Sequence, residues 1–345
     1  MLCRIILQVA RAEVRSQGLS TLTALVVALT PVLLFGVFFS GCGRTDSTLA
    51  QENQSRPRRV DNVAVRSDQE NNNKNTVLPR EDKNTAPSLF YPALEKALTR
   101  RGMTTAAVCD KSDPVSLRVL EDYGAMFMAT ETVLPPPVCV FKSEEEVERF
   151  HNNAKFSSAR IGGSTIELQP AAMKALLDAR QEAAKAGLDI TPRGGTEAAR
   201  RSYDDTRRLW DTRFLPALIH WQRNGRLSKE EAGRLRALPL HQQVEEVLEL
   251  EKKRIFFSKD LSKSILYSIA APGTSQHVAM LALDVSQFAD TRVRRILARH
   301  GWFQTVKSDL PHFTYLGVAE ETLPSLGLRA VTSSDQRFWI PNVSE

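Results

Sequence analysis

Two short segments of this sequence place histidine near aspartate at spacings that suit metal binding. In the first, His277 and Asp284 bracket an apolar run that follows a Pro-Gly turn. In the second, Asp309 precedes His312 by three residues. Two imidazoles and one carboxylate are the ligand set of a catalytic zinc ion that keeps one coordination position open. The sequence therefore predicts a zinc site built from His277, Asp284 and His312.

Hydrolysis at such a site needs further groups beside the metal. A second carboxylate must take a proton from water and pass it to the leaving amine, and Asp309 is the candidate for this general base. An arginine can pair with a substrate carboxylate or stabilise an oxyanion. The segment Arg200-Arg201-Ser202-Tyr203 supplies arginines at the start of a predicted helix. Together these residues predict cleavage of a peptide bond.

Each signal has a simpler interpretation when it is taken alone. A single histidine beside an apolar strand is more often a core or surface residue than a ligand, and two arginines at a helix start usually form a solvated face. Ser275 can be a turn residue, and Asp309 can cap a turn. In that case the other acids to consider as a base are Glu320, Glu321 and Asp260.

The combination resembles the D-alanyl-D-alanine carboxypeptidases of the VanY type and related peptidoglycan-directed zinc peptidases. Their first signature is S-x-H-x-x-G-x-A-x-D, commonly led by Pro-Gly, and this chain matches it at Ser275, His277, Ala282 and Asp284. Their second is E-x-x-H followed by an aromatic residue and a glycine, matched here at His312, Tyr315 and Gly317. An upstream R-S-Y segment is matched by Arg201-Ser202-Tyr203.

This resemblance implies an α+β fold, in which a small antiparallel sheet is flanked by helices and zinc lies in a cleft over the sheet. It implies hydrolysis of peptide bonds in peptidoglycan stem peptides, with Asp309 and Arg201 as catalytic residues. Ser275 would hold the metal site or contact the substrate. Arg193, in a Gly-rich approach to the R-S-Y segment, competes with Arg201 for binding the substrate.

The chain departs from the family pattern at two positions. Met280 stands where the family has glycine, so the turn between the ligands is made without a residue that freely adopts positive φ. Asp309 stands where the family has glutamate, a side chain one methylene longer. These departures leave two alternatives to a D-Ala-D-Ala carboxypeptidase. One is a catalytically degenerate lipoprotein that binds cell-wall peptides, and the other is a peptidase that cuts a different wall bond.

Apolar spacing and capping residues predict the elements around these motifs. Helices are predicted over residues 91–101, 114–127, 144–148 and onward, 170–186, 202–221, from Ser228, 241–253 and 291–300. Strands are predicted over residues 105–109, 138–141, 188–191, 264–270, 280–285 and 313–318.

The amino terminus predicts export. Three arginines precede a charge-free apolar stretch over residues 19–39, about the 20 residues that cross a bilayer. The stretch ends Phe39-Ser40-Gly41-Cys42, which resembles a lipoprotein lipobox and implies lipidation of Cys42. The alternative is an uncleaved helical anchor. Either way, residues 1–42 tether the body outside a bacterial cytoplasmic membrane, as a periplasmic or cell-surface protein.

Composition divides the rest of the chain. Residues 43–88 are polar, which predicts a disordered linker. Residues 89–160 are predicted to form a small mixed subdomain, and residues 161–345 the peptidase domain. The net charge of +6 is small and spread along 345 residues, so nucleic acid is not predicted as a partner. Cys109 and Cys139 can pair if the compartment is oxidising.

Overall fold

A computed structural model describes residues 88–343. The predicted signal segment with Cys42, and the predicted linker as far as residue 87, lie outside the described residues. None of the helices between residues 88 and 343 combines the length and the apolar character needed to cross a bilayer.

Helices contain more of the described residues than strands do, and polar caps fix where several helices begin. The α-helices are α1 (Phe90–Thr99), α2 (Thr105–Val108), α3 (Pro114–Tyr123), α4 (Glu144–Ala154), α5 (Pro170–Lys185), α6 (Tyr203–Arg223), α7 (Lys229–Ala237), α8 (Leu240–Lys252) and α9 (Thr291–Arg299). Helix α6 begins with a capping box between Ser202 and Asp205, and α7 with one between Ser228 and Glu231. The R-S-Y segment therefore marks a helix start, as predicted.

The strands of the described residues form small antiparallel sheets. They are β1 (Ser157–Ile161), β2 (Ser164–Leu168), β3 (Ala282–Asp284), β4 (Trp302–Phe303), β5 (His312–Tyr315), β6 (Leu328–Ser333) and β7 (Gln336–Pro341). Strands β1–β2 and β6–β7 form two hairpins, and β5 lies between β3 and β4 in a three-stranded sheet. The α+β class is confirmed, with the strands divided among three sheets where the sequence predicted one.

The three-stranded sheet lies inside the hydrophobic core. Leu283 and Phe313 face each other across β3 and β5, and each is about 1% exposed. The surrounding cluster extends from Phe90 to Trp339 and takes in residues on both sides of the boundary predicted near residue 160. That boundary falls inside β1, so the segment 89–160 packs on the same core as the segment that follows it.

Four predicted strands are wrong. Residues 105–109 begin with helix α2, because Thr104 caps it by accepting a hydrogen bond from the amide of Ala107. Residues 264–270 contain a 3₁₀ helix, Ile265–Tyr267, capped by Ser264. The stretches 138–141 and 188–191 make isolated backbone hydrogen bonds to other segments but belong to no strand ladder. Short apolar runs do not distinguish a strand from a buried turn.

Cys109 and Cys139 form a disulfide with a Cα–Cα distance of 5.2 Å. Both residues are buried, and the Cys139 amide donates to the Val108 carbonyl at 2.7 Å. The bond closes a loop of 30 residues, which ties the end of α2 to the segment before α4. The pairing that the sequence left open is therefore present in the fold.

Replacing both cysteines with serine should lower the free energy of unfolding by roughly 3–4 kcal/mol, the chain-entropy value for a loop of this length. The measurement is urea denaturation with and without reductant. Wild-type protein should lose stability on reduction, whereas the double variant should not respond to the reductant. Equal midpoints for oxidised and reduced wild type would contradict the prediction.

Candidate metal centre

The pairing of β3 with β5 brings two of the predicted ligands together. Asp284 is the last residue of β3 and His312 the first of β5, and the antiparallel register sets them directly opposite each other. Cross-strand partners in such a pair have Cβ atoms about 4.5–5.5 Å apart. His277 reaches the same point from the turn that precedes β3, where it is 1% exposed.

Three donor atoms meet at this point. Nε2 of His277 lies 3.1 Å from Nδ1 of His312, and Oδ1 of Asp284 lies 3.4 Å and 3.3 Å from these two nitrogens. Tetrahedral zinc with ligand bonds of about 2.0–2.1 Å separates its ligand atoms by about 3.3–3.4 Å. The triangle therefore has the dimensions of three zinc ligands.

The outer hydrogen bonds of both imidazoles decide which nitrogens carry protons. Nδ1 of His277 lies 3.2 Å from the carbonyl of Ala199, and Nε2 of His312 lies 2.8 Å from Oε1 of Gln276. Since each of these oxygens is an acceptor, each outer nitrogen bears the hydrogen. The two inner nitrogens consequently present lone pairs to each other and to Asp284.

A bound cation would remove the repulsion among these three lone-pair donors. Oδ1 of Asp284 is buried and has no hydrogen-bond partner among the described residues. A buried carboxylate oxygen without a donor is costly, and two neighbouring imidazole lone pairs make it more so. The residues present therefore fit a metal ion, and the mixed nitrogen and oxygen donor set is one that zinc accepts.

Charge states within the site agree with ligand roles. Burial lowers the pKa of His277 to about 4, with a further contribution from the charge of Arg201, so this imidazole is neutral at neutral pH. Burial also opposes ionisation of Asp284, but His277 and His312, in their protonated forms, outweigh burial and lower its pKa well below the ordinary value. Neutral imidazole and ionised carboxylate are the forms that bind metals.

Arg201 contacts a candidate ligand. Its Nη2 donates to Oδ2 of Asp284 at 3.0 Å, and its Nε donates to the carbonyl of Glu197 at 3.0 Å. The ion pair fixes the second carboxylate oxygen and leaves Oδ1 for the metal. In the described structure, Arg201 is thus placed to orient Asp284, and it also lines the adjacent cavity.

A cavity of about 290 Å³ opens beside the three donors. Its lining comprises His277 and His312 together with Tyr123, Arg201, Arg213, Leu266, Tyr267, Ser268, Ile269, Ala270, Ser275, Gln276, Val306, Ser308 and Asp309. Two of the other predicted site residues, Ser275 and Asp309, therefore line the cavity together with the candidate ligands His277 and His312. The Ser275 hydroxyl accepts from the amide of His277 at 3.4 Å, so it also shapes the turn.

Asp309 lies in the turn that leads into β5. Its amide donates to the Val306 carbonyl, and its own carbonyl accepts from the amide of His312. The residue is exposed to solvent and lines the cavity, where partial desolvation of its carboxyl group raises its pKa. The charge of Asp284 raises that pKa further, whereas His312 and Arg201 lower it.

Arg193 is placed differently from the other predicted site residues. It is exposed, and its guanidinium lies over the ring of Phe288, 5.4 Å from the centroid. Its amide donates to the carbonyl of Asp284 at 2.8 Å, while its side chain is not part of the cavity lining. Its charge is still near enough to lower the pKa of Asp309.

The residues that hold the imidazoles were not predicted from the sequence. Gln276 is 2% exposed, and its Nε2 donates to the carbonyl of Tyr123 at 2.8 Å, which turns its Oε1 toward His312. Thr305 and Thr314 also donate to that oxygen. A glutamine beside a histidine is an ordinary sequence feature, and Tyr123 is more than 150 residues away in the chain.

A second group of possible ligands, Asp113, His241 and Glu245, differs from the first in its hydrogen bonding. Asp113 already accepts from the amides of Val115 and Ser116 as the cap of α3. Nε2 of His241 lies 3.1 Å from Asp113, the distance of an ordinary hydrogen bond. Because these oxygens have donors, the group is explained without a metal.

Met280 adopts positive φ, +54°, in the turn between His277 and β3. Met280 is 0% exposed, and its carbonyl accepts from the amide of Gln169 at 3.1 Å. The left-handed conformation costs a residue with a Cβ about 1–2 kcal/mol. The departure from the glycine of the family pattern is therefore accommodated as backbone strain.

Met280→Gly should be more stable than Met280→Ala by about 1 kcal/mol, because both variants lose the side chain but only glycine is relieved of strain. This reverses the order expected at a position with negative φ. Urea denaturation of the two metal-free variants measures the difference. An alanine variant at least as stable as the glycine variant would show that the turn is unstrained.

Replacing His277, Asp284 or His312 with alanine should abolish zinc retention in each case, because each change removes one of three donors. Zinc per chain is measured by elemental analysis after gel filtration. His300→Ala is the matched control, since His300 contacts Glu182 outside the cavity and should leave zinc content unchanged. Full zinc occupancy in any of the three variants would remove that residue from the ligand set.

No model of a known protein family matches the chain, and no curated protein matches it. Among solved structures, the chain is similar to the vancomycin-resistance D,D-pentapeptidase VanY of a VanB-type resistance cassette, crystallised with Zn(II). The match is 15% identical, covers 47% of this chain and 79% of that chain, and has a TM-score of 0.27. Assignment of the metal centre therefore depends on the donor geometry.

Proposed function

We propose that this protein is a zinc-dependent peptidase that hydrolyses peptide bonds in peptidoglycan stem peptides, with D-Ala-D-Ala carboxypeptidase-like activity. The observation that carries the proposal is the convergence of three proton-free donor atoms of His277, Asp284 and His312 beside a cavity that His277 and His312 line. Zinc held by these residues would supply Lewis acidity toward a carbonyl group and a water nucleophile.

Asp309 is the group proposed to move the proton. It lines the same cavity as His277 and His312, and partial desolvation beside the cavity raises its pKa, which makes the carboxylate a stronger base. Its carboxylate oxygen would take a proton from water and return it to the nitrogen of the leaving amine. Arg201 would keep Asp284 ionised and oriented through the whole cycle.

The substrate class is proposed from the sequence motifs and the compartment. The S-x-H…D and H…Tyr-x-Gly patterns resemble those of peptidoglycan peptidases, and the amino-terminal segment predicts export with lipidation at Cys42. The Cys109–Cys139 disulfide supports an oxidising compartment, which is where the cell wall lies. A lipid-tethered protein outside the cytoplasmic membrane would meet stem peptides as its substrate.

A binding protein of the same fold is the alternative. Asp309 makes no side-chain hydrogen bond to any described residue that would hold its carboxylate toward the substrate. If Asp309 does not act as a base, the cavity would bind wall peptides without cleaving them. Release of D-alanine from an acyl-D-Ala-D-Ala peptide, measured together with zinc content, separates the two functions. Mass spectrometry of digested sacculi would then identify the bond.

Asp309→Asn should retain zinc, because Asp309 is not a ligand, but should lower turnover on the order of 10²–10⁴-fold. In wild type the base must be deprotonated, so the rate should fall as pH is lowered through the pKa of Asp309. Since partial desolvation raises that pKa, the fall should occur above about pH 4, the usual range for aspartate. The pH profile of the Asn variant should lack this acid limb.

Glu321→Gln is the matched control, because Glu321 is an exposed acid outside the cavity and should keep the wild-type rate. Asp309→Glu restores the family residue and should be tolerated. A fully active, zinc-loaded Asp309→Asn would exclude Asp309 as the base. Zinc-loaded wild type that binds but does not cleave would favour the alternative function.

A further inference from the structure

A second arginine faces the cavity beside the metal centre. Arg213 lies within α6, three helical turns after the R-S-Y segment, and it lines the cavity together with His277, His312 and Asp309. Neither the zinc-ligand motif nor the R-S-Y pattern includes it. Its Nη1 donates to the hydroxyl of Thr212 at 2.8 Å.

The guanidinium of Arg213 has unused hydrogen-bonding capacity. Its Nε is buried and has no hydrogen-bond partner within residues 88–343, and it forms no ion pair with a described acid. Two neighbouring arginines of the same helix have acidic partners, since Arg207 pairs with Asp204 and Arg208 pairs with Glu197. Arg201, the other arginine of the cavity, is engaged by Asp284.

A partly buried guanidinium that lacks an anionic partner can gain free energy by binding an anion. Its N–H groups form a planar fork whose best partner is a carboxylate, bound through two parallel hydrogen bonds. Removing a donor of this kind from water without a partner is costly, and an anionic ligand offsets that cost. Arg213 therefore presents a site for a carboxylate inside the cavity.

The rest of the lining limits the size and polarity of the group that carries this carboxylate. Leu266, Ile269 and Ala270 give the wall apolar surface, and Ser268 and Tyr267 add hydroxyls. A volume of about 290 Å³ is at the small end for ligand cavities. These features fit the last one or two residues of a peptide with small side chains.

We infer that Arg213 binds the free C-terminal carboxylate of the substrate, and thereby selects peptide ends over internal peptide bonds. This inference rests on the proposed peptidase function, and it assigns the site a carboxypeptidase specificity. Arg213 is the residue that distinguishes a terminal carboxylate from an amide, while Arg201 remains with Asp284.

The test compares two forms of one peptide, Nα,Nε-diacetyl-L-Lys-D-Ala-D-Ala with a free carboxylate and the same peptide as its C-terminal amide. Zinc-loaded, full-chain wild type should prefer the acid by about 10- to 100-fold, in the range of a charge-assisted hydrogen bond. The preference is measured as a ratio of kcat/KM values. Arg213→Gln should reduce the ratio to near one, mainly by raising KM for the acid, and should leave zinc content unchanged.

Arg207→Gln is the matched control, since it removes a charge from the same helix at an exposed position outside the cavity. It should keep the wild-type preference. If the protein cleaves neither peptide, the proposed peptidase function fails, and calorimetric binding of the two peptides still measures the preference. An equal response of wild type to acid and amide, or an unchanged preference in Arg213→Gln, would overturn the assignment to Arg213.

Discussion

The pairing of Asp284 with His312 across β3 and β5 is the constraint on which the site depends. Because these two residues are directly opposite in an antiparallel ladder, a shift of one residue in register would move one of them to the other face of the sheet. Leu283 and Phe313, the next pair along, are buried in the core and oppose such a shift. Core packing thus determines the separation of two candidate metal ligands.

His277 is not on a strand, and its position depends on the turn over residues 272–280. Gly273 adopts a φ of +74°, and a Cβ there would lie 2.1 Å from the carbonyl oxygen of Phe141. The amide of Phe141 donates to the carbonyl of Gly273 at 3.0 Å, and Nε2 of His151 contacts the carbonyl of Val278 at 2.8 Å. The Pro-Gly that precedes the motif therefore allows the close approach of another chain segment.

These contacts give the segment 89–160 a role that its sequence did not indicate. Tyr123 holds Gln276 through its carbonyl, and its hydroxyl donates to the carbonyl of Leu266 on the cavity wall. The first arginine of the R-R pair, Arg200, donates to Nδ1 of His151 and to Glu167. The segment 89–160 therefore packs against the turn over residues 272–280 that carries His277. The disulfide at Cys109 constrains the segment itself.

That His277, Asp284 and His312 lie close together, and where α6 and α7 begin, could be predicted because both depend on local sequence patterns. The spacing of histidine, aspartate and glycine residues can be recognised in a single sequence. Capping residues such as Ser202 and Ser228 form their hydrogen bonds with residues fewer than four positions away. Gln276 and Arg213 were not predictable, since their roles arise from contacts between distant segments. The hairpins β1–β2 and β6–β7 were also missed, because their alternation of exposed and buried residues is short.

Electrostatics then relates the two cavity arginines to the metal site. Arg201 is paired with Asp284 and lowers the pKa of His277, so its charge helps to keep an imidazole in the form that binds metal. Arg213 has no such partner among the described residues, and a divalent cation nearby would add to the positive potential of the cavity. A cavity with this balance of charge attracts an anionic group, and Asp309 is the acid in its lining. A single carboxylate on the ligand would form the missing ion pair with Arg213. Asp309 would then stay free to exchange a proton, whereas an ion pair between Arg213 and Asp309 would prevent that exchange.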